Sequence, residues 1–364
     1  MQKINVGVMF GGRSAEHEIS LLSAYNVIAA IPKNKYNIVP IGVRKDGSYV
    51  YFPKGDFILH PGDAKKVRLS GGGVSVTFAF GEGRHLASLK GTGVDKRIDV
   101  VFPVLHGTYG EDGTMQGLLS LADIPFVGPG VLGSAVGMDK DVAKRLWRDA
   151  GLPMADFLPF RKSDLKKIQF QAIVRKLGLP FFIKPAVAGS SVGVHKVKSA
   201  KQFAVALRDA FSYSDKVLIE QMIVGKEIEC SVLGNERPVV SLPGAVIPTH
   251  SFYSYEAKYL DEHGAHFEIP AALPRKVVQK IQRIVLDAFK VLELEGMARV
   301  DGFLTSKGEF ILNEVNTIPG FTKISMYPKL WEVSGVSYPE LIDRLLQLAI
   351  ERHKRERQLK TARL

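Results

Sequence analysis

The 364-residue chain is poor in cysteine and has no long apolar run. Cys230 is the only cysteine, so no disulfide can form within the chain, and a reducing, cytoplasmic location is predicted. No apolar segment approaches the ~18 residues of a membrane-spanning helix, which predicts no membrane association. Residues 1–10 run directly into a glycine turn without a small-residue cleavage pattern, and no signal peptide is expected. These absences argue against a membrane protein or a disulfide-rich secreted domain.

Acidic residues are fewer than basic ones. The chain has 37 Asp and Glu against 49 Lys and Arg, a formal net charge of +12. The densest basic stretch is 351–364, with six basic and two acidic residues. It lacks the interleaved aromatic residues typical of nucleic-acid-binding surfaces. We therefore interpret 351–364 as a solvated tail and the excess charge as a sign of anionic substrates, with no nucleic-acid partner.

Internal repeats and low-complexity segments are also absent. Short apolar runs alternate with helical patterns, which predicts an α/β fold of two or three domains, since a domain typically holds roughly 100–200 residues. A domain boundary is predicted near Gly137. The helix over 139–150 that follows is expected to place Val142, Leu146 and Ala150 on its apolar face.

A long aromatic segment, 248–270, is predicted to be a loop. Loops longer than about 15 residues in a compact domain are usually functional and often act as lids. Its aromatic residues are Phe252, Tyr253, Tyr255, Tyr259 and Phe267.

A strand pair on either side of Lys307 carries the strongest chemical pattern. A turn there opposes Asp301 to Glu314, and Arg299 to Asn316. Carboxylates at paired positions, about 4.5–5.5 Å apart at Cβ, repel each other unless a cation lies between them. Carboxylate and amide oxygens are ligands suited to Mg²⁺. The pattern predicts a magnesium site; the alternative is a polar face on which Arg299 pairs with a carboxylate.

Two lysines stand where an anion is expected. Lys184 ends an apolar strand and precedes 186–193, a loop of small residues whose backbone N–H groups could fold over phosphates. Lys140 lies in the first turn of its helix, where the macrodipole disfavours a cation. Phosphate binding is one interpretation. A glycine/serine hairpin and a solvated lysine are the alternatives.

Several other polar residues need an explanation. Glu220 follows an apolar strand, a poor place for an unpaired charge, so it either contacts a ligand or pairs with a basic neighbour. Glu16 follows a glycine turn at a helix start, where the helix dipole favours a carboxylate without any function. His106, just beyond a buried strand, is the histidine selected as a functional candidate. Cys230 is predicted to be a core residue.

Six segments, in this order, resemble the D-alanine–D-alanine ligase family. Each is modest alone, but their order is specific, and the resemblance extends over about residues 4–345. The segments are 11–20, 106–113, 138–140, 189–193, 255–259 and 313–320.

The resemblance implies a three-domain ATP-grasp architecture of the α/β class. An N-terminal α/β domain, 1–137, would hold the first D-alanine site. Two nucleotide-clamping α+β domains, 138–223 and 224–347, would follow, the second with the metal and the second D-alanine site. The basic tail, 348–364, lies at the end.

The resemblance also implies residues that bind ATP and metal. Asp301, Glu314 and Asn316 would bind two Mg²⁺ ions, for which Mn²⁺ can substitute. The nucleotide would be bound at its phosphates by Lys140, Lys184, Ser191 and Lys258, at its adenine by Glu220, Gln221, Met222 and Ile223, and at its ribose by Glu227.

A second implied set binds the amino acids. Glu16 would hold the ammonium of the first D-alanine, and a hydrogen-bonded trio of Glu16, Ser190 and Tyr259 would close the lid. The other implied residues are His106 near the first carboxylate, Arg299 and Gly320 at the oxyanion, and Ser325 and Met326 at the second carboxylate.

The implied activity is ATP-dependent ligation of two D-alanines to D-alanyl-D-alanine through D-alanyl phosphate, for peptidoglycan precursor synthesis, in a homodimer. One alternative is a D-alanine–D-lactate ligase or another carboxylate–amine ligase of the same fold. Depsipeptide-forming members of the family carry Phe or His where Tyr259 stands. Another alternative is a non-catalytic nucleotide-binding regulator.

Overall fold

Three β-sheets and an additional two-stranded pair organise the part of the chain that the structure describes. None of its helices is both long enough and apolar enough to cross a lipid bilayer. The computed structural model describes residues 2–63, 65–81, 83–89, 91, 93–248 and 265–360.

The first sheet has seven strands in the described ranges and is built around a doubly buried strand. Strands β1 to β9 of this part of the chain are Ile4–Gly11, Tyr36–Val43, Tyr49–Tyr51, Ile58–Leu59, Arg68–Leu69, Val74–Ala79, His85–Ser88, Asp95–Arg97 and Val100–Val104. Strands β4 and β5 form the separate two-stranded pair, and the other seven form the sheet. The sheet order is β8-β7-β6-β3-β2-β1-β9, with β1 parallel to β2 and β9. Because side chains alternate along a strand, Val8 and Phe10 enter one core and Met9 another. This explains the nearly continuous apolar run of β1.

Helices connect and cover the sheets. The α-helices of the described residues, α1 to α9, are His17–Ala30, Thr114–Leu121, Val131–Met138, Lys140–Asp149, Phe170–Leu177, Ala200–Tyr213, Arg275–Val291, Met326–Val333 and Tyr338–Glu356.

The second sheet is antiparallel and has helices α5 and α6 packed in its core. Its strands are β10, Phe157–Arg161; β11, Phe181–Pro185; β12, His195–Val197; and β13, Lys216–Gln221. Their order is β10-β13-β11-β12. Lys184 and Glu220 lie at the ends of two neighbouring strands.

The third sheet is also antiparallel, in the order β17-β16-β14-β18-β19, with β15 paired to β14. Helix α7 packs on it through Val285 and Phe289. Its strands are β14, Lys226–Gly234; β15, Val239–Val240; β16, Gly244–Pro248; β17, Ala265–Glu268; β18, Gly296–Leu304; and β19, Phe310–Asn316.

Helix α9 joins the end of the described chain to the first sheet. Phe10 shares one core with Trp331 and Leu345. Lys35 Nζ lies 2.7 Å from Asp343 Oδ2. The first and third sheets are therefore connected by a common apolar core.

The expectation of a solvated tail from residue 351 is wrong for Arg352, whereas residues 357–360 are exposed as expected. Helix α9 continues to Glu356, and Arg352 is 3% exposed. The Arg352 guanidinium donates to the carbonyls of Gly128 and Phe126 and lies over the Phe126 ring. A run of basic residues could not reveal these partners, because the acceptors are backbone carbonyls distant in sequence.

The predicted apolar face of α4 is also wrong. Leu146 and Ala150 face solvent, while Ala143, Lys144 and Trp147 are buried. Trp147 Nε1 donates to the carbonyl of Ala288 on α7, at 3.1 Å. The helix therefore turns a lysine-containing face inward.

Other boundaries differ in detail. Gly137, near which a domain boundary is predicted, lies inside α3, and a Cβ there would meet Thr317 Cγ2 at 2.6 Å. The strand expected over 192–197 is shorter, because 192–194 belong to the preceding turn region. The predicted loop 248–270 contains β17. Residues 249–264, which include the other four aromatic residues of this segment, lie outside the described residues.

Candidate active site

The β18–β19 hairpin has the predicted register. Arg299 pairs with Asn316, and Asp301 pairs with Glu314. The register shifts by one residue beyond Asp301, where a β-bulge leaves Asn313 without a strand partner. Both predicted pairs are therefore correct, and they lie on the side of the bulge away from the hairpin turn.

Arg299 organises the carboxylates on this hairpin. Its Nε and one terminal nitrogen donate to the two oxygens of Asp301, both at 2.8 Å. Arg299 Nε also lies 2.9 Å from Glu229 Oε2 on β14. Asn316 Nδ2 donates to Asp301 at 2.8 Å. The salt bridge that was the alternative interpretation of Arg299 is therefore present. Glu229 is an additional partner that the sequence reasoning missed.

The donor set of this hairpin is chemically suited to a hard cation. Asp301, Glu314 and Asn316 together supply carboxylate and amide oxygens, the ligand types that Mg²⁺ takes. No group of three or more His, Cys, Asp or Glu side chains within the described ranges is arranged to hold a metal. The predicted set contains two carboxylates, so its third oxygen comes from the Asn316 amide.

A cavity of about 260 Å³ lies between the second and third sheets. Phe182 contributes from β11, and Phe303 and Leu312 contribute from β18 and β19. Every residue predicted to bind nucleotide that the structure describes lines this cavity: Lys140, Lys184, Ser191, Glu220, Gln221, Met222, Ile223 and Glu227.

Glu220 lies between two lysines. Its carboxylate oxygens are 2.5 Å from Lys144 Nζ and 2.5 Å from Lys184 Nζ. Of the two interpretations left open for Glu220, pairing with basic neighbours is present. Lys144 was missed by sequence reasoning. The available signal was its position one helical turn after Lys140, on the same face.

Lys140 is not solvated. Its side chain is 12% exposed, lies 3.3 Å from Glu314 Oε2 and donates to the Ala188 carbonyl at 2.8 Å. This lysine therefore links the start of α4 to both the hairpin and the small-residue loop.

A second cavity, of about 100 Å³, adjoins the hairpin. Glu111 and Glu229 line it and were not predicted. The predicted residues that line it are Glu16, His106, Ser190, Arg299, Glu314, Asn316, Gly320, Ser325 and Met326.

The predicted contact between Ser190 and Glu16 is present, with the Ser190 hydroxyl donating to the carboxylate. Ser190 and Ser191 have φ values of 51° and 59°, in the left-handed region. This backbone turns the small-residue loop so that Ser190 reaches Glu16 across 174 positions of sequence. Lys258 and Tyr259, the other members of the implied lid, lie outside the described residues.

His106 is buried beside Glu111. Its Nδ1 lies 3.0 Å from the Ile318 carbonyl and 3.7 Å from Glu111 Oε1, and its Nε2 lies 3.1 Å from the Ser23 hydroxyl. Burial acts to lower the pKa of His106, but Glu111, Glu16 and the Ile318 carbonyl together outweigh it, so the pKa lies above its ordinary value. Burial raises the pKa of Glu111 to about 7.

Gly320 is tightly enclosed by the start of α8. A Cβ at Gly320 would lie 2.7 Å from Ser325 Oγ. That hydroxyl accepts from the backbone N–H of Thr322 at 2.9 Å and contacts the Thr322 hydroxyl. A side chain at this position would therefore have to displace the Ser325 hydroxyl.

The two cavities share part of their lining. Gly189, Ser190 and Glu314 line both. The two cavities are therefore adjacent, with these three residues at their boundary.

Two family models match successive parts of the chain. The family model described as "D-ala D-ala ligase N-terminus" matches residues 5–129, and "D-ala D-ala ligase C-terminus" matches residues 146–347. A D-alanine–D-alanine ligase of Oceanobacillus iheyensis is 52% identical over 99% of each chain.

Solved structures agree with this relationship. The D-alanine–D-alanine ligase of Coxiella burnetii has a TM-score of 0.85 and 37% identity, over 98% of this chain and 97% of that one. The VanG D-Ala:D-Ser ligase of Enterococcus faecalis has a TM-score of 0.83 and 33% identity, over 96% of this chain and 100% of that one. The predicted ATP-grasp architecture is confirmed, and the chain belongs to the D-alanine–D-alanine ligase family.

Proposed function

We propose that this protein uses ATP to join two D-alanines into D-alanyl-D-alanine, a step of peptidoglycan precursor synthesis in the cytoplasm. The observation that carries the proposal is the pair of adjacent cavities, whose linings share Ser190 and Glu314. The larger fits the nucleotide, and the smaller fits the amino acids. Their common wall is the point of phosphoryl transfer.

In the larger cavity, Lys140 and Lys184 bind the phosphates with the loop that carries Ser191. Residues 220–223 line the adenine site, and Glu227 binds the ribose. Lysines here neutralise charge on the transferring group, which is the main task of the protein in phosphoryl transfer. Lys258 adds a further phosphate contact in this proposal.

Asp301, Glu314 and Asn316 hold Mg²⁺. When bound, the metal neutralises phosphate charge and positions the transferring group. Glu314 Oε2 lies 3.3 Å from Lys140 Nζ, so this carboxylate is shared between the metal and the lysine in this proposal. Asp301 remains oriented by Arg299 and Asn316.

In the smaller cavity, Glu16 binds the ammonium of the first D-alanine, with His106 near its carboxylate. Arg299 and the Gly320 N–H stabilise the oxyanion, and Ser325 and Met326, at the start of α8, bind the second carboxylate. Oxyanion donors of this kind contribute roughly 3–4 kcal/mol each. Closure by Glu16, Ser190 and Tyr259 protects the acyl phosphate from water.

Phosphate release with ATP, Mg²⁺ and D-alanine tests this function. We expect release that depends on D-alanine and equals the dipeptide formed, as quantified by mass spectrometry. L-alanine is the matched control and should give no product. Background release in the presence of D-alanine would refute the D-alanine–D-alanine ligase. Release that appears only when D-lactate is added would indicate the depsipeptide alternative, and its continued absence would favour a non-catalytic nucleotide-binding regulator.

The second substrate needs its own test, because the solved D-Ala:D-Ser ligase has the same fold. We propose that Tyr259 selects D-alanine over hydroxy acids by fixing the closed lid. Tyr259→Phe should raise the depsipeptide share when D-alanine and D-lactate compete at pH 6–9. An unchanged product ratio would reject this role. We also propose a homodimer, which sedimentation of the purified protein will test.

A further inference from the structure

Lys144, Lys184 and Glu220 form a buried triad at the wall of the larger cavity. It has two positive charges and one negative charge. Lys144 and Lys184 both contact the one carboxylate of Glu220, at 2.5 Å each. The side chains are 0%, 8% and 7% exposed, respectively. Two ammonium groups therefore share one carboxylate in a site from which water is largely excluded.

The two lysines have different positions relative to the cavity. Lys184 and Glu220 line it, whereas Lys144 does not. Lys144 reaches Glu220 from α4, on the side away from the cavity. Lys184 and Glu220 come from neighbouring antiparallel strands, where Phe182 pairs with Glu220 and Lys184 with Leu218. They are diagonal neighbours on one face of the sheet.

Charge balance gives Lys144 a role at a distance. With Lys184 as its only partner, Glu220 would cancel the charge that Lys184 offers to a phosphate. We propose that Lys144 is a positioning residue for nucleotide binding: it neutralises Glu220 from behind and leaves Lys184 with an uncompensated positive charge towards the cavity. This inference rests on the proposed use of ATP.

The protonation of Glu220 agrees with this arrangement. Burial acts to raise the pKa of Glu220, but Lys144 and Lys184 outweigh it, so the pKa lies below its ordinary value. Burial lowers the pKa of Lys144, and Glu220 acts in the opposite direction. Asn313 Oδ1 accepts from Lys184 at 3.2 Å and adds no charge.

Lys144→Met is the first test, with Arg145→Met as its control. Both remove one positive charge from the same helical turn, but Arg145 is exposed and pairs with Asp141. In Lys144→Met, the KM for ATP and the Kd for ADP should rise about ten- to a hundredfold, as for the loss of one charged contact. The KM for D-alanine should stay within about twofold. Arg145→Met should change none of these constants.

The double variant Lys144→Met/Glu220→Gln separates charge balance from structural filling. It removes one charge of each sign, so Lys184 again faces the cavity uncompensated. Because Glu220 also lines the adenine site, the reference for this variant is Glu220→Gln alone: adding Lys144→Met to it should change the Kd for ADP by less than about threefold. Nucleotide binding as tight as wild type in Lys144→Met would overturn the proposal, and so would a loss of about tenfold or more when Lys144→Met is added to Glu220→Gln.

The double variant also decides the case in which Lys144→Met does not fold, because it keeps the net charge of the wild-type triad. A folded double variant that binds ADP about tenfold or more weakly than Glu220→Gln alone rejects the proposal. Wild-type protein without ATP-dependent phosphate release or ADP binding would instead reject the proposed function.

Discussion

The two cavities differ in charge although they share a wall. The larger is lined by three lysines and three glutamates. The smaller is lined by four glutamates, with one arginine and His106 as the basic side chains. In the larger cavity Glu220 and Glu314 both contact lysines. The smaller cavity has an excess of carboxylates.

This difference matches the charge of the proposed ligands. A polyphosphate is repelled by an excess of carboxylates, which the larger cavity does not have, and an amino acid brings an ammonium that carboxylates attract. Glu314 belongs to both linings, so it is the residue at which the two environments are most strongly coupled. Substitutions can therefore be ranked by how far they disturb one cavity without the other.

Glu314→Gln should have the largest effect because it removes a carboxylate from both linings. Turnover at limiting Mg²⁺ should fall by roughly two to three orders of magnitude, as expected for loss of a metal ligand. The fold should persist, since the Glu314 side chain is 25% exposed. Phosphate release titrated with Mg²⁺ measures this effect. A folded variant with wild-type turnover at limiting Mg²⁺ would show that Glu314 binds no catalytic metal.

Arg299→Lys should disturb the smaller cavity alone. Lysine keeps the charge but cannot donate the two parallel bonds that Arg299 gives to Asp301. The kcat should fall about a hundredfold, while the Kd for ADP should change by less than about twofold. Calorimetric ADP binding alongside steady-state kinetics checks both. Equal losses in nucleotide binding and turnover would contradict the separation of the cavities.

Arg352→Met should affect neither cavity but should lower stability. Arg352 is buried and donates to two backbone carbonyls, which would lose a charged donor. The melting temperature should fall by roughly 3–8 °C. Lys354→Met, an exposed charge loss on the same helix, is the control and should leave melting unchanged. Equal melting of both variants would restore the solvated-tail interpretation.

Glu111→Gln should give the smallest effect, on pH dependence. The pKa of Glu111 is raised to about 7, so its negative charge is lost as the pH falls through 7. The KM for D-alanine should rise a few-fold, about two- to fivefold, between pH 8 and pH 6 in the wild type. Glu111→Gln should flatten this slope and leave the KM for ATP unchanged. An identical slope in both proteins would show that Glu111 does not cause this pH dependence.

The hairpin was predictable because strand pairing is local. A turn near Lys307 and strict alternation were enough to oppose Asp301 to Glu314, which the structure confirms. The bulge at Asn313 was not predictable, since nothing in the pattern marks the extra residue. The family resemblance supplied the fold and many residues of both linings, but not Glu111 and Glu229.

Long-range ion pairs were not predictable. Lys144 is a polar residue on a helix, and propensity alone places such residues in solvent. Its burial depends on Glu220, which reaches it only when two sheets have formed. The burial of Arg352 was not predictable for the same reason. Its partners Gly128 and Phe126 lie more than 220 positions earlier in the sequence.

The packing of α9 on the first sheet has a consequence for biosynthesis. Val8 and Phe10 bury their side chains against Leu345, and Lys35 and Asp343 are 308 residues apart. At about 5–20 residues per second, the ribosome needs roughly 15–60 s to extend the chain from one to the other. During that interval this apolar face of the N-terminal sheet lacks its covering helix, so it is the surface that a nascent-chain chaperone would have to shield.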